Sequence, residues 1–186
     1  GYGGGPAGLP VDEAAYARWN ASYYAGDARQ NFVVRIASGP HLGAVIGATT
    51  LGDFDEAAGS THIGWTAYDP RVWGTQVNPE AKLLLLGHAF GHGFERVRIQ
   101  ADAVNTRSRA AIERLGAVFE GIARHDRPRA DGSWRDTAIY SILSSEWPTL
   151  RRGLETRLAG FGERPVLFRS APTAPTVLPG EQRAGA

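Results

Sequence analysis

Polar and apolar residues alternate strictly from Arg96 to Ala103. Val97, Ile99, Ala101 and Ala103 face one way, and Arg96, Arg98, Gln100 and Asp102 the other. A period of two predicts a strand with one buried face. Three further β-type runs precede it: Phe32–Ala37, Leu42–Leu51 and Thr61–Tyr68, the last ending at the Asp69-Pro70 breaker. A polar, acidic loop from Gly52 to Gly59 separates the second and third. The period changes after residue 78. Leu83, Leu86 and Phe90 share one helical face, widened by Leu84 and Leu85, so a helix is predicted from Pro79 to about Phe90 with Gly91-His92-Gly93 ending it. Asn105 caps a short helix over Thr106–Leu115, closed by Gly116. Val118–Ile122 and Thr137–Leu143 are strands joined by a polar excursion through Asp131-Gly132, and Leu150, Leu154 and Leu158 set a last helix over Ser145–Leu158. With a first helix over Val11–Ala25, the order is α-β-β-β-α-β-α-β-β-α. This is an α/β (α+β) pattern, a mixed sheet with helices on its faces. Residues 1–10 read as a flexible segment, 11–158 as one domain, and the Pro-, Gly-, Ala- and Arg-rich 159–186 as a disordered tail.

Composition narrows the function classes. The 186 residues, 42% hydrophobic and 21% charged, fit one soluble domain, and a formal charge of +1 gives no reason to expect a nucleic-acid partner. No apolar run approaches the roughly 20 residues that span a bilayer, so no membrane partner and a cytoplasmic location are expected. Zero cysteines remove disulfides, thiolate zinc sites and a cysteine nucleophile together. The chain also has no methionine, and it is read as a fragment that begins inside a longer protein.

The stretch Arg71-Val-Trp-Gly-Thr-Gln-Val-Asn-Pro-Glu-Ala-Lys carries the most chemistry. A glycine turn at Gly74 precedes a helix start in which Asn78 is expected to cap and Pro79 to take the first helical position. Free amides in such a turn and the positive end of the helix dipole together make an anion site, most often for phosphate. An ordinary, well-capped strand-to-helix connection is the competing reading. Arg107 and Arg109 lie in the first turn of the Asn105 helix, where the dipole disfavours cations. A nearby anion would explain them, and so would arginines bending into solvent. His88 and His92 lack the glutamate of a zinc-protease helix and a third ligand, so no metal is expected. Tyr16, Trp19, Tyr23 and Tyr24 read either as the packed face of an amphipathic helix or as the wall of an acceptor pocket.

Taken together, Ile63-Gly64-Trp65-Thr66, Arg71-x-x-Gly74-x-Gln76, Asn105-x-x-Ser108-Arg109, Phe119-Glu120-Gly121, Arg135-Asp136-Thr137 and Glu146-Trp147-Pro148 resemble the GNAT N-acetyltransferases, in particular the ribosomal-protein-alanine acetyltransferases, from about residue 31 to residue 158. The resemblance implies a mostly antiparallel central sheet with helices on both faces and one splayed parallel strand pair, here Thr61–Tyr68 and Arg96–Ala103, with the family's first strand missing. It implies acetyl-CoA as cosubstrate, an amine as acceptor, no metal, and a monomer or homodimer. Trp65, Thr66 and Ala67 would pair with the pantetheine arm. Gly74, Thr75, Gln76, Val77 and Asn78 would take the pyrophosphate, and Asn105 and Arg109 would also hold the cofactor. Ser108 would give a proton to the leaving thiolate, beside its plain role as a capping hydroxyl. Three positions depart from the family pattern: Gln76 replaces a small residue, His62 an acidic one and Arg127 a glutamate. A histidine of near-neutral pKa can act as general base, so His62 is the candidate, against a half-exposed strand histidine. The function this implies is acetyl transfer to a primary amine. The alternative is an acyl-CoA-binding module that has lost catalysis.

Overall fold

The computed structural model describes residues 12–23, 28–129 and 131–170. In chain order the elements are α1 (Glu13–Tyr23), β1 (Arg29–Arg35), β2 (Val45–Asp55), β3 (Ser60–Tyr68), a 3-10 turn (Pro70–Val72), α2 (Val77–Gly91), β4 (Arg96–Asp102), α3 (Thr106–Glu113), β5 (Val118–Pro128), β6 (Trp134–Leu143) and α4 (Trp147–Ala159). The six strands form one sheet in the order β1-β2-β3-β4-β6-β5. Every neighbouring pair is antiparallel except β3 and β4. The helical crossover α2 makes that parallel pair possible.

Register sorts the sheet into two unlike faces. Leu51 opposes Ile63, Ile63 opposes Ile99, and Ile99 opposes Tyr140, so all four point to one side. They join Leu85, Leu86 and Ala89 of α2, Ile112 and Leu115 around the end of α3, and Leu154 of α4 in the main core. Each fully buried leucine or isoleucine there contributes about 2 kcal/mol through removal from water. The alternating residues Thr50, His62, Arg98 and Ser141 occupy the opposite face, which is polar. Tyr16 of α1, 45% exposed, borders a groove on that face beside Asn31, Val33 and Ala48. Tyr16 is therefore not a core residue. The side chains of Trp19 and Tyr23, the residue Tyr24, and the segment where the family's first strand was sought lie outside the described residues.

Three strands run further than their apolar runs. β2 continues through the expected acidic loop to Asp55, β5 reaches Pro128, and β6 begins at Trp134. Backbone pairing needs no apolar side chain. The hairpins close on polar pairs such as Asp55↔Ser60 and Arg127↔Arg135. Bulges with positive φ at Asp53 (51°) and His125 (49°) break the alternation that marks a strand.

The C-terminal stretch differs more. Residues 160–170 are not a free tail but a strap laid back over the domain. Val166 and Phe168 pack against a second, smaller core of Ile36, Ile46, Val72 and Val77. The Arg169 amide donates to the Arg71 carbonyl (3.0 Å). Residues 171–186 lie outside the described part.

Candidate active site

β3 and β4 pair only from Ser60↔Arg96 to Ile63↔Ile99 and then diverge. Beyond that point β3 pairs with β2 alone, and β4 with β6 alone. A wedge therefore opens between Gly64–Tyr68 and Gln100–Asp102, where β3 and β4 no longer pair with each other. The cause is a bulge. Trp65 takes φ 49°, and the β2–β3 register shifts between Ala48 and Thr50. Gly64 is required here, since a Cβ would stand 2.5 Å from the His62 ring. The Arg29 guanidinium covers the Trp65 ring at 4.1 Å. Thr66 pins the bulge from the core side: its Oγ1 lies 2.8 Å from Thr49 Oγ1 and accepts from Lys82 Nζ (3.1 Å). Lys82 is only 5% exposed and has no carboxylate among the described residues within ion-pair distance. Burial lowers its ammonium to about 7. Nothing in its helical spacing announced this role.

The expected anion turn stands at the end of β3. Asp69 caps the 3-10 turn by accepting from the Arg71 amide (2.8 Å), and Gly74 takes the left-handed φ of 74°. The helix then begins earlier than expected. Gln76 already has helical angles (φ −66°, ψ −12°) and stands at the cap without a side-chain cap bond, so Asn78 does not cap and Pro79 is third rather than first. The 3-10 turn has wound the chain by then, and the proline is still tolerated because the opening N–H groups of a helix have no intrahelical partner. Thr75 Oγ1 donates to the Val72 carbonyl (2.6 Å) and accepts from the Val77 amide (3.4 Å). The amides of Gly74, Gln76 and Asn78 have no partner among the described residues. The Gln76 side chain is turned sideways, with Nε2 donating to the Arg164 carbonyl (3.0 Å).

α3 brings its own N-terminus to this turn. Asn105 accepts from the Ser108 amide (3.0 Å) through Oδ1, as expected of a cap, and Ser108 is half-buried behind it. The arginine that reaches the glycine turn is Arg107, whose guanidinium lies 3.5 Å from the Trp73 ring centroid. Arg109, the expected cofactor residue, instead points inward. Its Nε donates to the Tyr140 hydroxyl (3.0 Å) and its Nη1 to the Ala103 carbonyl (3.3 Å), while Tyr140 donates to Glu113 (2.9 Å). Residues 107 and 109 stand about 200° apart around a helix, so only one can face the turn, and the bond of Arg109 to Tyr140 decides that it is Arg107.

His62 lies on the polar face and is buried, not half-exposed. Its Nδ1 is 3.2 Å from Asp53 Oδ2, which also takes Arg98 at 2.8 Å. Its Nε2 has no partner. Burial, and then the Arg98 cation, push its pKa down to about 4, with Asp53 opposing them. The near-neutral value expected for a base is therefore not found in the free protein. Arg127, on β5, lies 3.4 Å from Asp126. No group of three metal-ligating side chains occurs among the described residues, and none of their helices is long and apolar enough to cross a membrane.

A mixed sheet whose one parallel pair splays beside an open, amide-lined helix start is the frame of a GNAT acetyltransferase. The Acetyltransferase (GNAT) domain model matches residues 2–118, and the chain belongs to this family. The solved structure of a GCN5-related N-acetyltransferase from Brucella melitensis is similar at TM-score 0.73 and 32% identity, over 81% of this chain and 66% of that one. Among curated proteins, YdaF of Bacillus subtilis (strain 168), provisionally named a ribosomal N-acetyltransferase, is 34% identical over 107 residues. That match spans 56% of this chain and 57% of YdaF. Mycobacterium smegmatis RimJ, solved with CoA-disulfide, is similar in fold alone, at TM-score 0.61 and 22% identity over 77% of this chain and 66% of RimJ.

Proposed function

We propose that this chain is an acetyl-CoA-dependent N-acetyltransferase that acts by direct transfer to a primary amine, of a protein N-terminus or a small molecule. The observation that carries the reading is the junction of wedge and turn: where β3 parts from β4, its edge leads to a turn with three amides unpartnered among the described residues, beside Arg107. A thioester arm fits the first and a pyrophosphate the second. Acetyl-CoA supplies a thioester whose acetyl carbon bonds to the acceptor nitrogen as its C–S bond breaks.

The residues divide the remaining work. Backbone groups of Trp65, Thr66 and Ala67 hold the arm, and a β3 amide in the wedge polarises the carbonyl. The turn from Gly74 to Asn78 holds the phosphates, and Asn105 has its amide nitrogen left to bond the arm. Ser108 donates a proton to the departing thiolate, while the amine loses its proton on the opposite face of the sheet. There His62 is neutral at pH 7, but its unpartnered Nε2 is buried, so it can take that proton only through a relay from the amine. The similarity to YdaF supports a protein N-terminal amine as the first acceptor to try.

The low basicity of His62 favours the second reading, an acyl-CoA-binding module without catalysis. Thiol release from acetyl-CoA with a panel of amines, run beside a CoA titration, separates the two. Turnover with at least one amine supports the enzyme, binding without turnover supports the module, and absence of CoA binding sinks both.

A further inference from the structure

The strap of residues 163–169 lies outside the stretch matched by the family model, which ends at residue 118. It is nevertheless tied to the anion turn. Gln76 donates to the Arg164 carbonyl, and the Arg71 carbonyl accepts from the Arg169 amide (both 3.0 Å). Phe168 stacks on His41 at 4.0 Å between ring centroids, and the Arg71 guanidinium lies 4.2 Å from the same ring. Pro165 fills the space beside Gly39, where a Cβ would meet it at 2.6 Å and where φ is 84°. These contacts set the strap's register.

That register aims one side chain at the turn. Arg169 Nη1 lies 3.4 Å from the point where a Cβ on Gly74 would stand. No carboxylate lies within ion-pair distance of Arg169 or of Arg107 among the described residues. One guanidinium thus stands beside Gly74 and another on Trp73, near the positive end of α2, and neither has a carboxylate counter-ion among the described residues. Such an arrangement favours an anion over a cation at the turn. A guanidinium fork suits phosphate oxygens in particular. The strap does not seal the turn, because Gly74 remains exposed.

We infer that the C-terminal strap forms the outer wall of the cofactor's phosphate site and that Arg169 binds the pyrophosphate opposite Arg107. The inference rests on the acetyl-CoA reading. It also gives Gln76 a use: the side chain standing where the family has a small residue holds the wall in place.

Calorimetric titration of the full chain with CoA and with S-acetyl-pantetheine, which lacks the pyrophosphate, tests it. Arg169→Ala is expected to weaken CoA binding about tenfold and to leave S-acetyl-pantetheine binding unchanged, with Arg169→Lys in between. Gln76→Ala, which removes one of the strap's ties to the turn, is expected to weaken CoA less than Arg169→Ala but in the same selective way. Unchanged CoA affinity in Arg169→Ala overturns the inference, and tighter binding shows that the strap obstructs the site instead. Failure of the unaltered chain to bind CoA overturns the cofactor reading itself, so the two failures are distinct.

Discussion

The phosphate turn and the His62 face lie on either side of the same splayed strand, yet their electrostatics are opposite. At the turn, Gly74, Gln76 and Asn78 offer N–H groups without a partner among the described residues, and Arg107 rests on Trp73 rather than on a carboxylate, while Arg71 is held by Asp69. On the other face the charges satisfy one another. Asp53 takes Arg98 and also the neutral His62 ring, Arg96 takes Glu120, and Arg129 takes Asp102. An open set of donors is organised to receive a ligand, whereas a closed set of ion pairs holds a shape and tunes a neighbour. The difference teaches that unpartnered donors gather at one end of β3 and partnered charges near the other, and that each set can be perturbed alone.

The strongest way to break this division is through the two buried titratable groups. Lys82, beneath the wedge, has its pKa lowered by burial from 10.5 to about 7. The unfolded chain then binds more protons between pH 7 and 10.5, so stability rises with pH through that window. Lys82→Met is expected to remove the rise and to gain about 3 kcal/mol near pH 7 or below, the desolvation relieved less one hydrogen bond to Thr66. Denaturant unfolding at several pH values checks this, and an unchanged slope would show that the ammonium is not desolvated.

His62 sets a second window. Its folded pKa of about 4 lies below the ordinary 6.5, so stability is lost as pH falls from 6.5 toward 4. His62→Gln is expected to flatten about 3 kcal/mol of that acid loss without changing CoA affinity, as measured by acid unfolding beside a titration. The same value predicts a pH–rate profile of the free enzyme with no His62 inflection near 6.5.

Smaller effects belong to the turn and to α3. Gly74→Val places a β-branched residue at φ 74° and is expected to cost about 2 kcal/mol in stability and at least tenfold in CoA affinity. Its acetyl-amine transfer from S-acetyl-pantetheine should fall far less. Ser108→Ala leaves the cap intact, because Asn105 bonds the Ser108 amide and not its hydroxyl. Turnover is therefore expected to drop about tenfold at constant CoA affinity, and equal turnover would return Ser108 to a purely structural role.

Much of the frame was legible in residue order. The alternation of β4 and the Asn105 cap reappear as read, whereas α2 starts at Val77 and buries Ala81, Lys82, Leu85, Leu86 and Ala89, leaving Leu84 of the expected face 67% exposed. These signals are local, so neighbouring residues carry them. Strand ends at Asp55, Pro128 and Trp134 were hidden because bulges and polar pairs there erase the period. The site was legible as a list of motifs but not as an assignment of side chains. Arg107 and Arg109 share one helical turn, and only the packing of α3 against Tyr140 decides which faces the ligand.

The sequence alone determined the order of most elements, because periodicity, capping and turn chemistry act over a few residues, and it carried the motifs on which the family resemblance rests. Tertiary structure alone decided the rest. It buried His62 and Lys82, and so moved their proton affinities, because desolvation depends on everything packed around a group. It also folded a stretch that reads as a tail across the domain. Val166 and Phe168 are too few to form an element of their own, but they are enough to complete a core already built by Ile36, Ile46, Val72 and Val77.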